Sequence, residues 1–305
     1  MTVGAPNEDG WIIRDARPGD LTQLTSLLQE ASLPTIGVRE HLHTFLVLEE
    51  KERIVGSIGL EVYGDTALLR SAVVAGERRN SGLGSTLYET LLERARALGV
   101  RRLVLLTNTA EEYFRRKGFR KVDQKSISGP VTTSVEFTGA CPSHTACMVY
   151  DLPKRVLVVC TGNSCRSQMA EGFLKSFGPG LEVFSAGTHP AGKVHRRAIA
   201  VMKEINIDIS AQYPKSIDEF IALEFDTVLT VCDHANKNCP TFTGQVKNRL
   251  HIGIDDPTMV LGSEAQVMAE FRRVRDEIGR TMKELYERER DDRRQRRDTR
   301  EITDV

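Results

Sequence analysis

The chain has no surplus of charge: 42 basic and 42 acidic side chains cancel among its 305 residues. A balanced surface raises no long-range field, which excludes a general affinity for nucleic acid or for an anionic membrane. No apolar run approaches the roughly 18 residues that a membrane-spanning helix needs, and the opening MTVGAPNEDGW is polar, without the hydrophobic stretch of a secretory leader. These absences predict a cytoplasmic protein. Cysteine is scarce as well, six residues in all, too few to staple a chain of this size. A reducing compartment leaves them as thiols, to be read for their chemistry. Neither an internal repeat nor a Gly/Ser- or Pro-rich linker interrupts the sequence. Its length nevertheless exceeds one typical domain, and two cores of about 150 residues each are the natural expectation.

What is present is organised around Val156 to Ser167, VLVVCTGNSCRS, which runs on into QMAEGFLKSF. An apolar run, a cysteine, a stretch of mostly small residues and an arginine describe a strand that turns sharply and opens a helix. Cys160 and Arg166 bracket the turn. Small residues such as Gly162 let successive N–H groups turn inward as an anion cradle, and the helix points its positive end at the same spot. The cradle, the helix and Arg166 all favour a thiolate, so the Cys160 pKa is expected to fall from about 8.5 towards or below neutral. A nucleophile facing a tetrahedral oxyanion is the chemistry this pattern suits.

The rest of that half alternates strands with helices. Leu181 to Ser185, Phe225 to Cys232 and Arg249 to Ile254 read as strands, and Arg196 to Ile205 as a helix with Ala198, Val201, Met202 and Ile205 inward. Ser263 and Gln266 form a capping box before a long helix carrying Val267, Phe271, Val274, Ile278, Met282 and Leu285 on one face. This order predicts a parallel sheet covered by helices, with chemistry at the carboxyl ends of its strands. Cys160, Cys232 and the Asp255-Asp256-Pro257 turn all fall at such ends. The charged tail from Glu287, ERERDDRRQRRDTREITDV, reads as a solvated extension of the last helix.

The sequence CTGNSCRSQMAEG resembles the active-site loop of the low-molecular-weight protein tyrosine phosphatase superfamily, in its thioredoxin-coupled arsenate reductase branch. Two features separate the branches. No tyrosine follows Asp256-Pro257 to stack a substrate ring, and CDHANKNCP carries Cys232 and Cys239 seven positions apart. A zinc site using His234 fits poorly, because the spacing is not C-x2-C and no second ligand pair is near. The resemblance implies arsenate bound by the loop Thr161, Gly162, Asn163, Ser164, Cys165, Arg166 and Ser167, with Cys160 as nucleophile and Asp256 as general acid. The resemblance further implies that Cys232 and Cys239 relay the oxidation outward to thioredoxin. Ser167 is expected to donate to the Cys160 sulfur, Asn163 to shape the loop, and Cys165 to be structural. Some members bind potassium beside the loop. Asn163, Glu171 and Ser185 match that site, but Lys215 stands where those members have an aspartate, so its ammonium is expected to replace the ion and no metal is predicted.

The first half reads as strands at Trp11 to Asp15, Thr44 to Glu49, Arg53 to Val62 and Thr66 to Val74, with a helix carrying Leu21, Leu24, Leu27 and Leu28 after Pro18-Gly19-Asp20. Then come Arg79, Asn80, Ser81, Gly82, Leu83, Gly84 and Ser85, an R-x-x-G-x-G leading into a helix with Leu83, Leu87, Leu91 and Ala95 inward. Glycines at a helix start expose N–H groups to a pyrophosphate. With the RRLVLL strand and the later Gly118-Phe119, this order resembles the GNAT acetyltransferases. LLRSAVV, LLTNTAEEYFRRKGF and CPSHTACMVYDL point within them to the arsenic-resistance N-acetyltransferases. The resemblance implies a mixed sheet, acetyl-CoA held by the R-x-x-G-x-G loop, and an amine acceptor that the sequence does not name. Many GNATs place a proton-donating tyrosine where Phe114 stands here, with Tyr113 one position earlier, so that acid is unassigned. Cys141 and Cys147 bear two readings: a thiolate pair for trivalent arsenic, or, more plainly, a packed thiol and a loop thiol.

The expected organisation is an α/β chain with a GNAT-like domain over 1–153, a phosphatase-like arsenate reductase domain over 154–288 and a charged tail over 289–305. The alternative function is a phosphomonoesterase whose first half is a binding or sensing module.

Overall fold

The computed structural model describes residues 10–140, 145–178 and 180–302, with the side chains of 140, 236 and 290–302 outside that description. The chain folds into two compact units, Met1–Leu152 and Pro153–Val305. Among the described residues no helix is long and apolar enough to cross a membrane.

In the first unit β1 (Trp11–Asp15), α1 (Leu21–Glu30), β2 (Leu46–Glu50), β3 (Arg53–Tyr63), β4 (Thr66–Val74), α2 (Leu83–Ala97), β5 (Arg102–Thr107), α3 (Glu111–Arg116), β6 (Arg120–Val122) and β7 (Ala146–Asp151) follow in order. They build one mixed sheet in the order β1-β2-β3-β4-β5-β7-β6. The β2–β3 turn has two residues, Lys51 and Glu52, and both adopt φ > 0 (47° and 64°), as a tight hairpin following the sheet twist requires. Leu83, Leu87, Leu91 and Ala95 of α2 are buried against the sheet. The parallel pair β4–β5 matches only Thr66–Leu68 with Arg102–Val104. Beyond Leu68 the two strands part and leave backbone of β4 facing a cleft.

The second unit runs β8 (Lys154–Cys160), α4 (Arg166–Ser176), β9 (Leu181–Gly187), α5 (Arg196–Lys203), β10 (Phe225–Thr230), α6 (Asp233–Lys237), β11 (Val246–His251) and α7 (Glu264–Ile302). Its strands are all parallel, in the order β11-β10-β8-β9. Val156 to Val159 are fully buried, which is why β8 reads as a continuous apolar run rather than an alternation. The chain leaves β8 for β9 on one side and later places β10 on the other. The crevice beyond the carboxyl ends of β8 and β10 is therefore the switch point at which such sheets bind ligands. Ser263 and Gln266 exchange backbone-to-side-chain bonds at the start of α7, and all six expected apolar residues of that helix are buried.

One strand is shifted from its sequence expectation. β11 begins at Val246 and ends at His251, not at Arg249 and Ile254. It is an edge strand with Lys247, Asn248 and Arg249 exposed, so solvent allows polar residues that an apolar criterion overlooks. Ile252 and Ile254 follow as irregular chain whose N–H groups bond to Thr230 O and Val231 O.

Phe271, wholly buried on α7, is with Phe225 one of the largest fully buried side chains of the second unit. Phe271→Ala is predicted to remove roughly 3–5 kcal/mol, read as loss of hydrogen-exchange protection at the β8 amides with those of the first unit unchanged.

Candidate functional site

Cys160 is the last residue of β8, and the loop it opens is held by its carbonyls. Cys160 O, Thr161 O, Gly162 O and Ser164 O accept from the N–H groups of Thr188, His189, Ala191 and His195 at 3.2, 2.9, 2.8 and 2.8 Å. With four carbonyls bound to that neighbouring segment, the amides of the loop are free to turn the other way. The approach is close: a methyl group at Gly187 would stand 2.7 Å from Thr161 O, so glycine is needed where β9 ends. Asn163 adopts φ 44°, a conformation asparagine tolerates better than most residues.

The Cys160 sulfur is buried and accepts the Asn163 N–H at 3.2 Å, with Ser167 Oγ at 2.9 Å. Ser167 Oγ itself accepts the Asn163 side-chain amide at 2.9 Å, which leaves the hydroxyl hydrogen for the sulfur. The same amide donates to Ser185 Oγ at 2.8 Å, and Ser185 donates to the buried carboxylate of Glu171. Lys175 pairs with that carboxylate, and Lys215 Nζ stands 3.6 Å from its Oε2. A cationic side chain thus occupies the fourth position of the set Asn163, Glu171, Ser185 and Lys215. Gln168, fully buried, donates to Asn163 O and Oδ1 at 2.9 and 3.0 Å and to Tyr213 O at 3.0 Å, clamping the loop from α4.

Arg166 opens α4. Its guanidinium donates to Asp256 Oδ2 at 2.7 Å and to Ile254 O at 2.9 Å, so the chain after β11 is tied to the cationic side of the loop. Cys232, one position beyond the Val231 that bonds to Val159 O, sits against the loop with its sulfur 3.3 Å from Thr161 Oγ1. Cys239 lies past the far end of α6, half-buried, 3.9 Å from Arg249 Nη1. Burial raises its pKa, partly offset by that arginine. Burial also pushes the Cys165 thiol well up, and its side chain joins the hydrophobic core. Cys147, Cys160, Cys165, Cys232 and Cys239 are free thiols. Among the described residues no group of three or more His, Cys, Asp or Glu side chains is placed to hold a metal.

In the first unit a cleft of about 430 Å³ is lined by Val73 and Val74 of β4, by Arg79, Asn80, Gly82, Gly84 and Ser85 of the glycine-rich turn, and by Tyr113. Gly82 has φ 84° and caps α2, leaving the Leu83 and Gly84 N–H groups without a preceding turn to bond. A side chain at Gly82 would meet nothing within 4 Å, so the turn is open to a ligand. Arg79 Nε bonds to Val74 O at 3.2 Å. The Tyr113 phenol donates to Gly84 O at 3.1 Å, whereas Phe114 is buried among Tyr88 and Phe119. The tyrosine at the cleft is therefore Tyr113. Cys141 lies outside the described residues; Cys147 is a buried thiol of β7 whose pKa is pushed up to about 11 by burial.

Residues 155–295 match the low molecular weight phosphotyrosine protein phosphatase family, and residues 11–121 match the acetyltransferase (GNAT) family. An arsenate reductase of Halalkalibacterium halodurans is 47% identical over 135 residues, 44% of this chain and 96% of that protein. One from Bacillus subtilis is 46% identical over the same length, again 44% of this chain and 96% of the relative. The chain belongs to the arsenate reductase family. Its second unit is the reductase unit and its first is a GNAT acetyltransferase domain. A solved structure of an arsenate reductase in the phosphate binding state is 35% identical, covering 44% of this chain and 98% of that one, with a TM-score of 0.39.

In the reductase unit the structure brings Cys160, Thr161, Asn163, Arg166, Ser167, Cys232 and Asp256 together, and leaves Cys239 beyond α6. Sequence reasoning missed Gln168 and the role of Gly187, because their partners lie far along the chain. It also passed over His234 except as a poor zinc ligand.

Two outcomes follow. Ser167→Ala removes a hydrogen bond to the sulfur worth about 1.5–3 kcal/mol when the acceptor is charged, so iodoacetamide alkylation of Cys160 at neutral pH is expected to slow about tenfold or more. For Cys147, the folded chain keeps a proton up to about pH 11 that an unfolded thiol releases near about 8.5. Stability therefore falls as pH rises through that window. In Cys147→Val the alkaline loss, read from urea midpoints of the acetyltransferase unit, is expected to shrink.

Proposed function

We propose that the reductase unit converts arsenate to arsenite through a relay of Cys160, Cys232 and Cys239 recycled by thioredoxin, and that the acetyltransferase unit moves an acetyl group from acetyl-CoA to an amine. The observation that carries the first part is the pair of thiols at one loop. Cys160 is held by Ser167 and Asn163, and Cys232 rests against Thr161 of the same turn. Hydrolysis of a phosphate ester would use Cys160, Arg166 and Asp256 and leave Cys232 without a task. The relatives are arsenate reductases over nearly their whole length.

Arsenate enters among the inward amides and competes for the Arg166 fork, which matches a tetrahedral oxyanion. Asp256, released from Arg166, takes a proton from solvent. The Cys160 thiolate attacks arsenic; an As–S bond forms and an As–O bond breaks, its oxygen leaving as water with the proton from Asp256. The Cys232 thiolate then attacks the Cys160 sulfur. The As–S electron pair stays with arsenic, which departs as arsenite, and the two sulfurs are oxidised to a disulfide. Cys239 attacks Cys232, expels the Cys160 thiolate and carries the disulfide away from the loop. Thioredoxin, a dithiol, reduces it by the same exchange. Lys215 and Glu171 serve this chemistry by fixing Ser185 and Asn163.

For the acetyltransferase unit, the cleft lined by β4, the glycine-rich turn and Tyr113 and the open N–H groups of Leu83 and Gly84 fit a pyrophosphate and its pantetheine arm. Acetyl-CoA bound there supplies the activated acetyl group. Arg79, Asn80, Ser81, Gly82, Leu83, Gly84 and Ser85 would hold it.

The test is arsenate-dependent NADPH oxidation with thioredoxin and thioredoxin reductase. Turnover is expected in the full chain and is expected to vanish in Cys160→Ser, Cys232→Ser and Cys239→Ser individually. Turnover that persists in both of the last two would overturn the relay. Calorimetry with acetyl-CoA examines the other unit: binding is expected, and Gly82→Val, which forces a branched side chain into φ > 0, is expected to abolish it.

A further inference from the structure

The relay needs Cys232 as a thiolate, and a free thiol ionises only near about pH 8.5. A proton acceptor has to be within reach. The Cys232 sulfur lies 3.3 Å from Thr161 Oγ1, and that hydroxyl lies 3.4 Å from Nδ1 of His234. Sulfur, hydroxyl and imidazole thus form one hydrogen-bonded series through Thr161, and imidazole is the side chain suited to accept a proton near neutral pH. The Ala235 N–H meets the same sulfur at 3.4 Å, a donor that favours the anion. Cys232 is buried while His234 is exposed, so a proton that reaches the ring is exchanged with water without opening the site.

The groups around the ring leave it free for this task. From the loop after β9 the His189 ring meets it edge-on with centroids 5.8 Å apart. From β8 and its loop it faces Thr161. On its own helix Asp233 is turned to His251 Nε2 at 3.0 Å, and His251 Nδ1 lies 3.0 Å from Thr230 Oγ1; Lys237 stands one turn on. The nearest carboxylate in sequence is thus engaged elsewhere.

We propose that His234 is the base that takes the Cys232 proton, by way of the Thr161 hydroxyl, as Cys232 attacks Cys160; this rests on the reductase reading. The Cys232 S–H bond breaks and its proton passes to the Thr161 oxygen, while the Thr161 hydrogen passes to Nδ1. The sulfur keeps the electron pair and spends it on the bond to Cys160. His234 then returns the proton to solvent, so no further reactant is required. It acts on the sulfur through Thr161 and positions the proton, without touching arsenic.

The experiment follows alkylation of Cys232 by iodoacetamide in the full-length Cys160→Ser protein, by peptide mass spectrometry from about pH 5.5 to about pH 9.5, a span covering imidazole and thiol ranges. Cys239 in the same digest is the internal reference. Adding His234→Gln is expected to slow Cys232 alkylation at pH 7 about tenfold or more, as for a lost general base, because the thiol then has no acceptor for its proton as it attacks, and to move the rise in rate to higher pH, with Cys239 unchanged. Thr161→Val is expected to do the same. A Cys232 profile in His234→Gln that superimposes on that of the parent, or a loss shared equally by Cys239, would overturn the proposal. Arsenite release in a single turnover of the unsubstituted chain is measured alongside. Its absence would sink the reductase reading instead, while the alkylation profile would still report on the base.

Discussion

The direction in which the loop after β8 points its carbonyls is the constraint on which the site depends. A buried backbone has to pair its polar groups, and here the 188–195 segment takes the oxygens of Cys160, Thr161, Gly162 and Ser164. The amides are then committed to the opposite side, and one of them already meets the Cys160 sulfur. Preorganised donors of this kind need no rearrangement when charge arrives. The cradle is thus an agreement between two stretches of chain, made possible because Gly187 lets them approach and Gln168 clamps Asn163 from behind.

The polar chain behind the nucleophile has a similar logic. Glu171 is buried at the level of a core residue, and a buried carboxylate is tolerable only when paired. Lys175 and Lys215 supply the opposite charge, and Ser185, Asn163 and Ser167 carry the ordering effect step by step to the sulfur. A partly satisfied network of this sort would be worse than an apolar core. Each of its six side chains, Glu171, Lys175, Lys215, Ser185, Asn163 and Ser167, has a partner, which explains how they fit beneath one loop, whereas the neighbouring Gln168 leaves its buried Oε1 unpaired.

Much of this was legible in the sequence wherever the information is local. The strand, the turn and the start of α4 are contiguous, so VLVVCTGNSCRS announces them, and the apolar stripe of α7 announces its buried face. Cys232 could be assigned to the loop by topology alone, since parallel strands bring their carboxyl ends to one edge. What escaped was long-range or exposed. Gly187 matters for a neighbour 26 positions away in sequence, Thr161. β11 is an edge strand with polar residues. The Arg166–Asp256 pair joins side chains 90 positions apart, and nothing in either local pattern tells that the guanidinium meets the carboxylate before any anion does. In the acetyltransferase unit, the offset of Tyr113 from the usual tyrosine position showed a discrepancy, but only the fold reveals that its phenol reaches Gly84.

Helix α6 occupies the stretch between Cys232 and Cys239. The five residues of α6 alone rise about 7.5 Å, with Cys232 and Cys239 beyond its two ends, and a disulfide needs Cα atoms within about 7 Å of each other. Under the proposed relay the spent enzyme therefore cannot keep the resting outline: Asp233–Lys237 must uncoil. So short a helix has little cooperativity of its own to resist this. Oxidation would then be written on the surface as a change of shape, and a reducing partner could recognise the charged form by its contour and release the discharged one once the coil re-formed.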